Sequence, residues 1–126
     1  MATPKDRKYT KEHEWVKIDS GSAYVGITDH AQSELGDIVY VELPVVGTTL
    51  DAGKVLAVVE SVKAVSEVFS PLTGEVLSVN TELDKAPELL NQAPYEQHIA
   101  VLKAEDATAA AGLLTAEEYD AFLSEG

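Results

Sequence analysis

A chain of 126 residues can build one modest core; two domains of half that length would each bury too little apolar surface to stand alone. Nine Lys and Arg against 22 Asp and Glu give a formal charge of −13, a field that repels phosphate backbones and anionic lipid and so argues against nucleic-acid and membrane-surface roles. The lack of cysteine excludes disulfides, thiolate metal sites and a cysteine nucleophile, so any thiol chemistry must arrive on a cofactor.

The opening MATPKDRKYTKEHEW carries no signal-type apolar stretch, and no run along the chain reaches bilayer-spanning length. The protein is therefore expected to be soluble and to work where it is made. From Ala23 to Leu102, short runs rich in Val, Ile, Tyr and Phe, broken by Gly and Pro, give a many-stranded β pattern. It predicts strands at Glu14–Ile18, Ala23–Ile27, Ile38–Leu43, Lys54–Glu60, Val65–Ser70, Gly74–Val79 and His98–Lys103. Helical interruptions are expected at Thr28–Leu35, which starts on cap-type residues and stops at Gly36, and at Pro87–Leu90, with Pro at a first helical position. Near the end, Thr115-Ala116-Glu117-Glu118 fits a capping box, and Tyr119, Phe122 and Leu123 share one helical face suited to packing on the sheets. The Ala-rich stretch Asp106–Leu114 can add a further turn or two of helix.

An internal echo ties the strands together. Pro44-Val45-Val46-Gly47-Thr48-Thr49-Leu50 and Pro71-Leu72-Thr73-Gly74-Glu75-Val76-Leu77 share Pro-x-x-Gly-x-x-Leu, 71 − 44 = 27 positions apart. Each copy is expected to place a turn between two strands, with Pro fixing φ and Gly supplying positive φ. Val41 and Val68 precede the two prolines at equal distance. Two such units, each with one apolar face, would bury those faces together as a small two-sheet sandwich.

Lys63 falls between the strand ending at Glu60 and the one starting at Val65, hence in a tight hairpin turn. Such turns use Gly, Asn, Asp or Pro, yet Ser61-Val62-Lys63-Ala64 contains none of them. The residues therefore answer to something besides the bend. A lysine on a stiff β tip, flanked by slim side chains, is open to an enzyme that must grasp it.

Glu60-Ser61-Val62-Lys63-Ala64 resembles the lipoyl attachment site of the H-protein family of the glycine cleavage system. The similarity extends to Tyr9-Thr10-Lys11-Glu12-His13-Glu14-Trp15-Val16, to Val25-Gly26-Ile27-Thr28-Asp29-His30-Ala31-Gln32 and to Leu35-Gly36-Asp37-Ile38-Val39-Tyr40-Val41-Glu42-Leu43-Pro44. Pro71-Leu72-Thr73-Gly74, Val79-Asn80 and Pro87-Glu88-Leu89-Leu90-Asn91 follow in the family's order. The resemblance implies a mainly β fold: a lipoyl/biotinyl-type barrel-sandwich hybrid of two antiparallel sheets with short helices and a C-terminal helix. It also implies a single carrier domain over residues 1–126, with a core of about 8–103 and a helical segment of about 106–125.

By the same resemblance, Lys63 bears lipoate in amide linkage, with Glu60, Ser61, Val62 and Ala64 as its recognition surroundings. The implied role is carriage without catalysis. The aminomethyl group of glycine passes from a pyridoxal-phosphate glycine decarboxylase (P protein) to a tetrahydrofolate-dependent aminomethyltransferase (T protein). A dihydrolipoyl dehydrogenase (L protein) then reoxidises the dithiol, and lipoate ligase or lipoyl-transfer enzymes load the lysine. Location would be the bacterial cytoplasm, or the mitochondrial matrix if a presequence has been removed. A cleft for the loaded arm would use Glu14 and Glu67, with Glu12, Glu34 and Leu35 ranked lower; carboxylates suit a cationic amine because charge-assisted contacts are the stronger ones. His13, Trp15 and Tyr40 read as packing residues, and His13, His30 and His98 lack metal-site spacing. The sequence departs from the family at His98-Ile99, where Gly-Trp is usual, which puts packing at the last strand in question. Other readings remain open here: a lipoyl or octanoyl relay in lipoate assembly, or an unmodified structural β sandwich. A biotin carrier is disfavoured, since its lysine sits among methionines and only Met1 is present.

Overall fold

The computed structural model describes residues 2–104 and 112–125. Its elements run β1 (Lys8–Tyr9), β2 (Glu14–Asp19), β3 (Ser22–Ile27), α1 (Asp29–Leu35), β4 (Ile38–Glu42), β5 (Thr49–Leu50), β6 (Val55–Ser61), β7 (Val65–Phe69) and β8 (Gly74–Val79). There follow α2 (Glu82–Lys85), α3 (Leu89–Gln92), β9 (Ala100–Lys103) and α4 (Ala116–Glu125). All strand pairings are antiparallel: a six-stranded sheet in the order β1-β2-β3-β9-β8-β5 and a three-stranded sheet β4-β6-β7. This is the mainly β, two-sheet architecture with short helices and a C-terminal helix that the sequence implies.

Local chemistry sets the boundaries. The Thr28 side chain accepts the Ala31 N–H at 3.2 Å and starts α1, and Gly36, at φ 78°, stops it. Thr115 and Glu118 form the reciprocal box ahead of α4: Glu118 Oε1 accepts the Thr115 N–H at 2.9 Å and Thr115 Oγ1 accepts the Glu118 N–H at 3.2 Å. Tyr119 is fully buried and Phe122 and Leu123 are partly buried, in a cluster with Tyr9, Trp15 and Ala116 where the Tyr9 and Tyr119 rings stack at 5.0 Å. Burying each of these rings contributes on the order of 2 kcal/mol. Of the helix expected over Asp106–Leu114, residues 106–111 lie outside the described residues, and Gly112–Leu114 is not helical. The helix expected from Pro87 begins at Leu89, because the Pro87 and Glu88 carbonyls accept from Leu90 and Asn91 in a tight preliminary turn.

The two echoed segments lie side by side. Thr49 pairs with Glu75 and Leu50 with Gly74, while Gly47 donates to the Val76 carbonyl and Val76 to the Thr48 carbonyl, both at 2.8 Å. The units thus meet edge to edge, and Val41, Val68, Leu72 and Val76 deliver their apolar faces to one shared core. Gly47 supplies positive φ (94°), as the pattern predicts. Gly74 does not: it opens β8 in extended conformation, and its lack of a side chain lets the strand approach the Lys103 carbonyl. Two other expectations need correction or filling in. Tyr40 is 50% exposed and so is no packing residue; it stands beside the exposed Val39 where the pairing of β4 with β6 shifts register. At the departure from the family pattern, Ile99 is fully buried and donates its N–H to the Val25 carbonyl, and His98 stands edge-on to Tyr24 at 5.3 Å, so the last strand is packed without tryptophan. Among the described residues no helix is long and apolar enough to cross a membrane.

Candidate functional site

The β6–β7 hairpin carries Lys63 at its tip. Ser61 closes the turn: its N–H donates to the Ala64 carbonyl at 2.8 Å, and its hydroxyl oxygen accepts the N–H groups of Lys63 (3.3 Å) and Ala64 (3.0 Å). A serine side chain thereby replaces the Gly or Asn that such a turn ordinarily uses. Val62 donates to the Asp37 carbonyl at 3.0 Å, bracing the tip against the loop that follows α1. Val62, Lys63 and Ala64 are exposed, and Glu60 and Ser61 are half-buried. Among the described residues no carboxylate pairs with Lys63. Its stem lies over Gly36, where an added Cβ would stand 3.5 Å from Lys63 Cε. The left-handed φ of Gly36 and its proximity to this stem give two reasons for glycine there.

A cleft of about 150 Å³ opens beside the hairpin, and all five residues expected to form one line it: Glu12, Glu14, Glu34, Leu35 and Glu67. Four elements converge. The start of β2 and the loop before it bring Glu12, His13 and Glu14; β3 brings Ile27; α1 brings Ala31, Glu34 and Leu35; β7 brings Ser66, Glu67 and Val68. Leu35, which lines the cleft, directly precedes Gly36, over which the Lys63 stem lies. Among the described residues no group of three His, Asp or Glu is placed to hold a metal ion.

The carboxylates are not equivalent. Glu12, Glu34 and Glu67 are exposed, whereas Glu14 is 2% exposed and already engaged. Glu14 Oε1 accepts the Thr10 hydroxyl at 2.7 Å and Oε2 accepts the Phe69 N–H at 2.9 Å, which ties β2 to the free edge of β7. Burial raises its pKa above the ordinary 4.5 despite those two bonds, which pull the other way. The unfolded chain therefore loses this proton first as pH rises, and native stability falls from the ordinary value up through the raised one, then levels. Glu14→Gln keeps an acceptor for Phe69 and a donor for Thr10 without the charge. Urea unfolding across that range is expected to show the variant gaining on the native protein as pH rises; parallel curves would refute this. Glu14→Ala, which leaves the Phe69 N–H unpaired, is expected to lose about 2–4 kcal/mol.

His13, read from sequence as a packing residue, lines this cleft in a left-handed backbone conformation (φ 70°) with no glycine or asparagine to announce it. Nor does the sequence mark Ser61 as the turn-closing group or Asp37 as the brace.

The sequence profile described as "Glycine cleavage H-protein" matches residues 7–126. The chain is 50% identical over 127 residues to the glycine cleavage system H protein of Geobacillus kaustophilus, covering 100% of both. It is 50% identical over 126 residues to the protein of that name from Bacillus velezensis, covering 99% of each. A crystal structure of a glycine cleavage system H protein from Mycobacterium marinum superposes with a TM-score of 0.88 at 38% identity, covering 96% of this chain and 98% of that one.

Proposed function

The chain belongs to the glycine cleavage H-protein family, and from that premise we propose that Lys63 bears lipoate in amide linkage and that the acidic cleft beside it shelters the carried group. Its role in the glycine cleavage system is that of a non-catalytic carrier. We read residues 1–126 as one carrier domain working in a bacterial cytoplasm. Its partners are glycine decarboxylase, the tetrahydrofolate-dependent aminomethyltransferase, dihydrolipoyl dehydrogenase and an enzyme that installs lipoate.

The residues fit the group. An exposed amine with no competing carboxylate among the described residues is open to acylation, and the missing side chain at Gly36 leaves room for an arm to lie back toward the cleft. Bound there, lipoate would supply a dithiolane able to open its S–S bond, one sulfur accepting the aminomethyl group of glycine and the other becoming a thiol. This chain supplies position. The Ser61 hydroxyl and the Asp37 carbonyl fix the tip, so tethering keeps the cargo at high effective concentration near successive enzymes. Glu12, Glu34 and Glu67 favour a cationic amine at the cleft, and Glu14 holds two of its walls together. The observation that carries the reading is a braced, exposed lysine, unpaired among the described residues, whose stem lies over Gly36, next in the chain to Leu35 of a cavity edged by carboxylates.

Intact mass of the protein from a lipoate-competent host, with peptide mapping, should show a lipoyl increment on Lys63. With glycine decarboxylase, the modified protein should support exchange of the glycine carboxyl with bicarbonate. An unshifted mass under active ligase would refute the modification; a modified protein inert in exchange would point to a relay in lipoate assembly. Glu67→Lys places a cation at the exposed side of the cleft and is expected to leave the mass increment intact while shortening retention of the aminomethyl group about tenfold. Unchanged release would remove Glu67 from the cleft's working residues.

A further inference from the structure

The cleft has one lining side chain whose chemistry is set from the far end of the chain. His13 N–H donates to the Thr10 carbonyl and the His13 carbonyl accepts from Thr28, fixing the left-handed backbone that aims the ring between two cavities. One is the cleft; the other, about 380 Å³, lies among His30, Glu34, Phe122 and Leu123. The ring's Nδ1 lies 2.7 Å from the Tyr119 hydroxyl of α4, and that hydroxyl lies 2.8 Å from Thr28 Oγ1.

Counting protons assigns the tautomer. Thr28 is fully buried and its oxygen already accepts the Ala31 N–H, and among the described residues the Tyr119 oxygen is the one acceptor within reach of the Thr28 hydroxyl proton. Thr28 must then donate to Tyr119, so Tyr119 donates to His13 Nδ1, and the ring carries its proton on Nε2. The reverse chain strands the Thr28 proton in a dry site, at a cost comparable to a lost hydrogen bond. A second proton on the ring makes Nδ1 a donor to Tyr119, and one hydroxyl proton of the chain then loses its acceptor.

We propose that His13 and Tyr119 are positioning residues for the carried group: α4, through the Tyr119 hydroxyl, holds the His13 ring neutral in the cleft wall, and protonation of that ring drives the cationic cargo out. This rests on the cleft reading above. The titratable groups around the ring, in contact with it or lining the same two cavities, come from four elements: His30, whose ring is 4.4 Å away, and Glu34 on α1; Tyr119 and Glu125 on α4; Glu12 and Glu14 beside it; and Glu67 on β7. Burial, reinforced by His30 and opposed by Glu34, holds the pKa of His13 below 6.5. The ring is therefore neutral at neutral pH and charges only as pH falls below that value. A neutral ring leaves the field of the carboxylates intact, whereas an imidazolium there meets an ammonium of the same sign.

The test has one arm that needs no lipoate. In the unmodified, isotope-labelled protein, imidazole nitrogen spectra near neutral pH should show His13 with a bare Nδ1 and a protonated Nε2; Tyr119→Phe should mix the tautomers. In the modified, aminomethyl-loaded protein, release should quicken about tenfold as the ring titrates. That acid limb should vanish in His13→Asn, a residue that tolerates the left-handed backbone and cannot titrate in this range. A proton on Nδ1 in the native protein, or an unchanged limb in His13→Asn, would overturn the proposal. Failure of Lys63 to take lipoate shows separately in the mass and leaves the nitrogen spectra to decide the ring's state.

Discussion

Lys63→Arg is expected to fold with native stability, to gain no lipoyl mass and to show at least a hundredfold loss of glycine–bicarbonate exchange. The contrast follows from what the side chain does and does not touch. Lys63 is exposed, pairs with no carboxylate among the described residues, and rests only its stem on Gly36, so a guanidinium on a stem of similar length costs the fold little. The turn is held by Ser61 and the Asp37 carbonyl, neither of which senses the substitution. Chemistry, by contrast, is lost outright. A guanidinium stays protonated and delocalised at any working pH and offers no amine lone pair for acylation. Thermal unfolding, intact mass and exchange measured on the same preparation give the comparison. A retained mass increment would place the modification elsewhere, and a collapse in melting temperature would mean that the amine holds the hairpin.

The parts legible in the sequence are those that local physics decides. Seven strands are readable because Val, Ile and Phe recur between Gly and Pro, and the position of Lys63 at a hairpin tip follows from the two strands around it. β1, β5 and α2 are not readable, since two-residue strands and a single helical turn carry no period. The candidate cleft divides the same way. Resemblance brings Glu12, Glu14, Glu34, Leu35 and Glu67 to attention, but their differing states depend on tertiary contacts. Glu14 is locked by Thr10 and by the backbone of Phe69, 55 positions away, and His13 is held by Tyr119, 106 positions away. The Pro-x-x-Gly echo shows how one pattern hides two causes. Gly47 is there for its dihedral angle, Gly74 for the space it leaves, and sequence alone writes both as glycine.

That difference makes Gly74→Ala strongly destabilising. A Cβ at Gly74 would fall inside the contact distance of the Lys103 carbonyl oxygen, with Leu102 Cβ and Leu72 Cδ1 each 3.5 Å away on its flanks. The obstructing atom is backbone, not the end of a flexible side chain, so relief requires β8 to move off β9. β9 also pairs with β3 in the middle of the six-stranded sheet, and Val76, Leu102, Ala23 and Val25 around it are fully buried. Opening that ladder is expected to cost about 3 kcal/mol, against a total stability of roughly 5–15 kcal/mol for a domain of this kind. The melting temperature should fall by about 10–20 °C. Gly47→Ala provides the control: nothing lies within 4 Å of its added Cβ, and only the positive φ resists, at about 1 kcal/mol. If the two variants lost equal stability, the close approach of β8 to β9 would not be what requires glycine at position 74. Because Gly74 lies in the six-stranded sheet and the hairpin in the other, the Gly74→Ala protein that remains folded should still accept lipoate at Lys63.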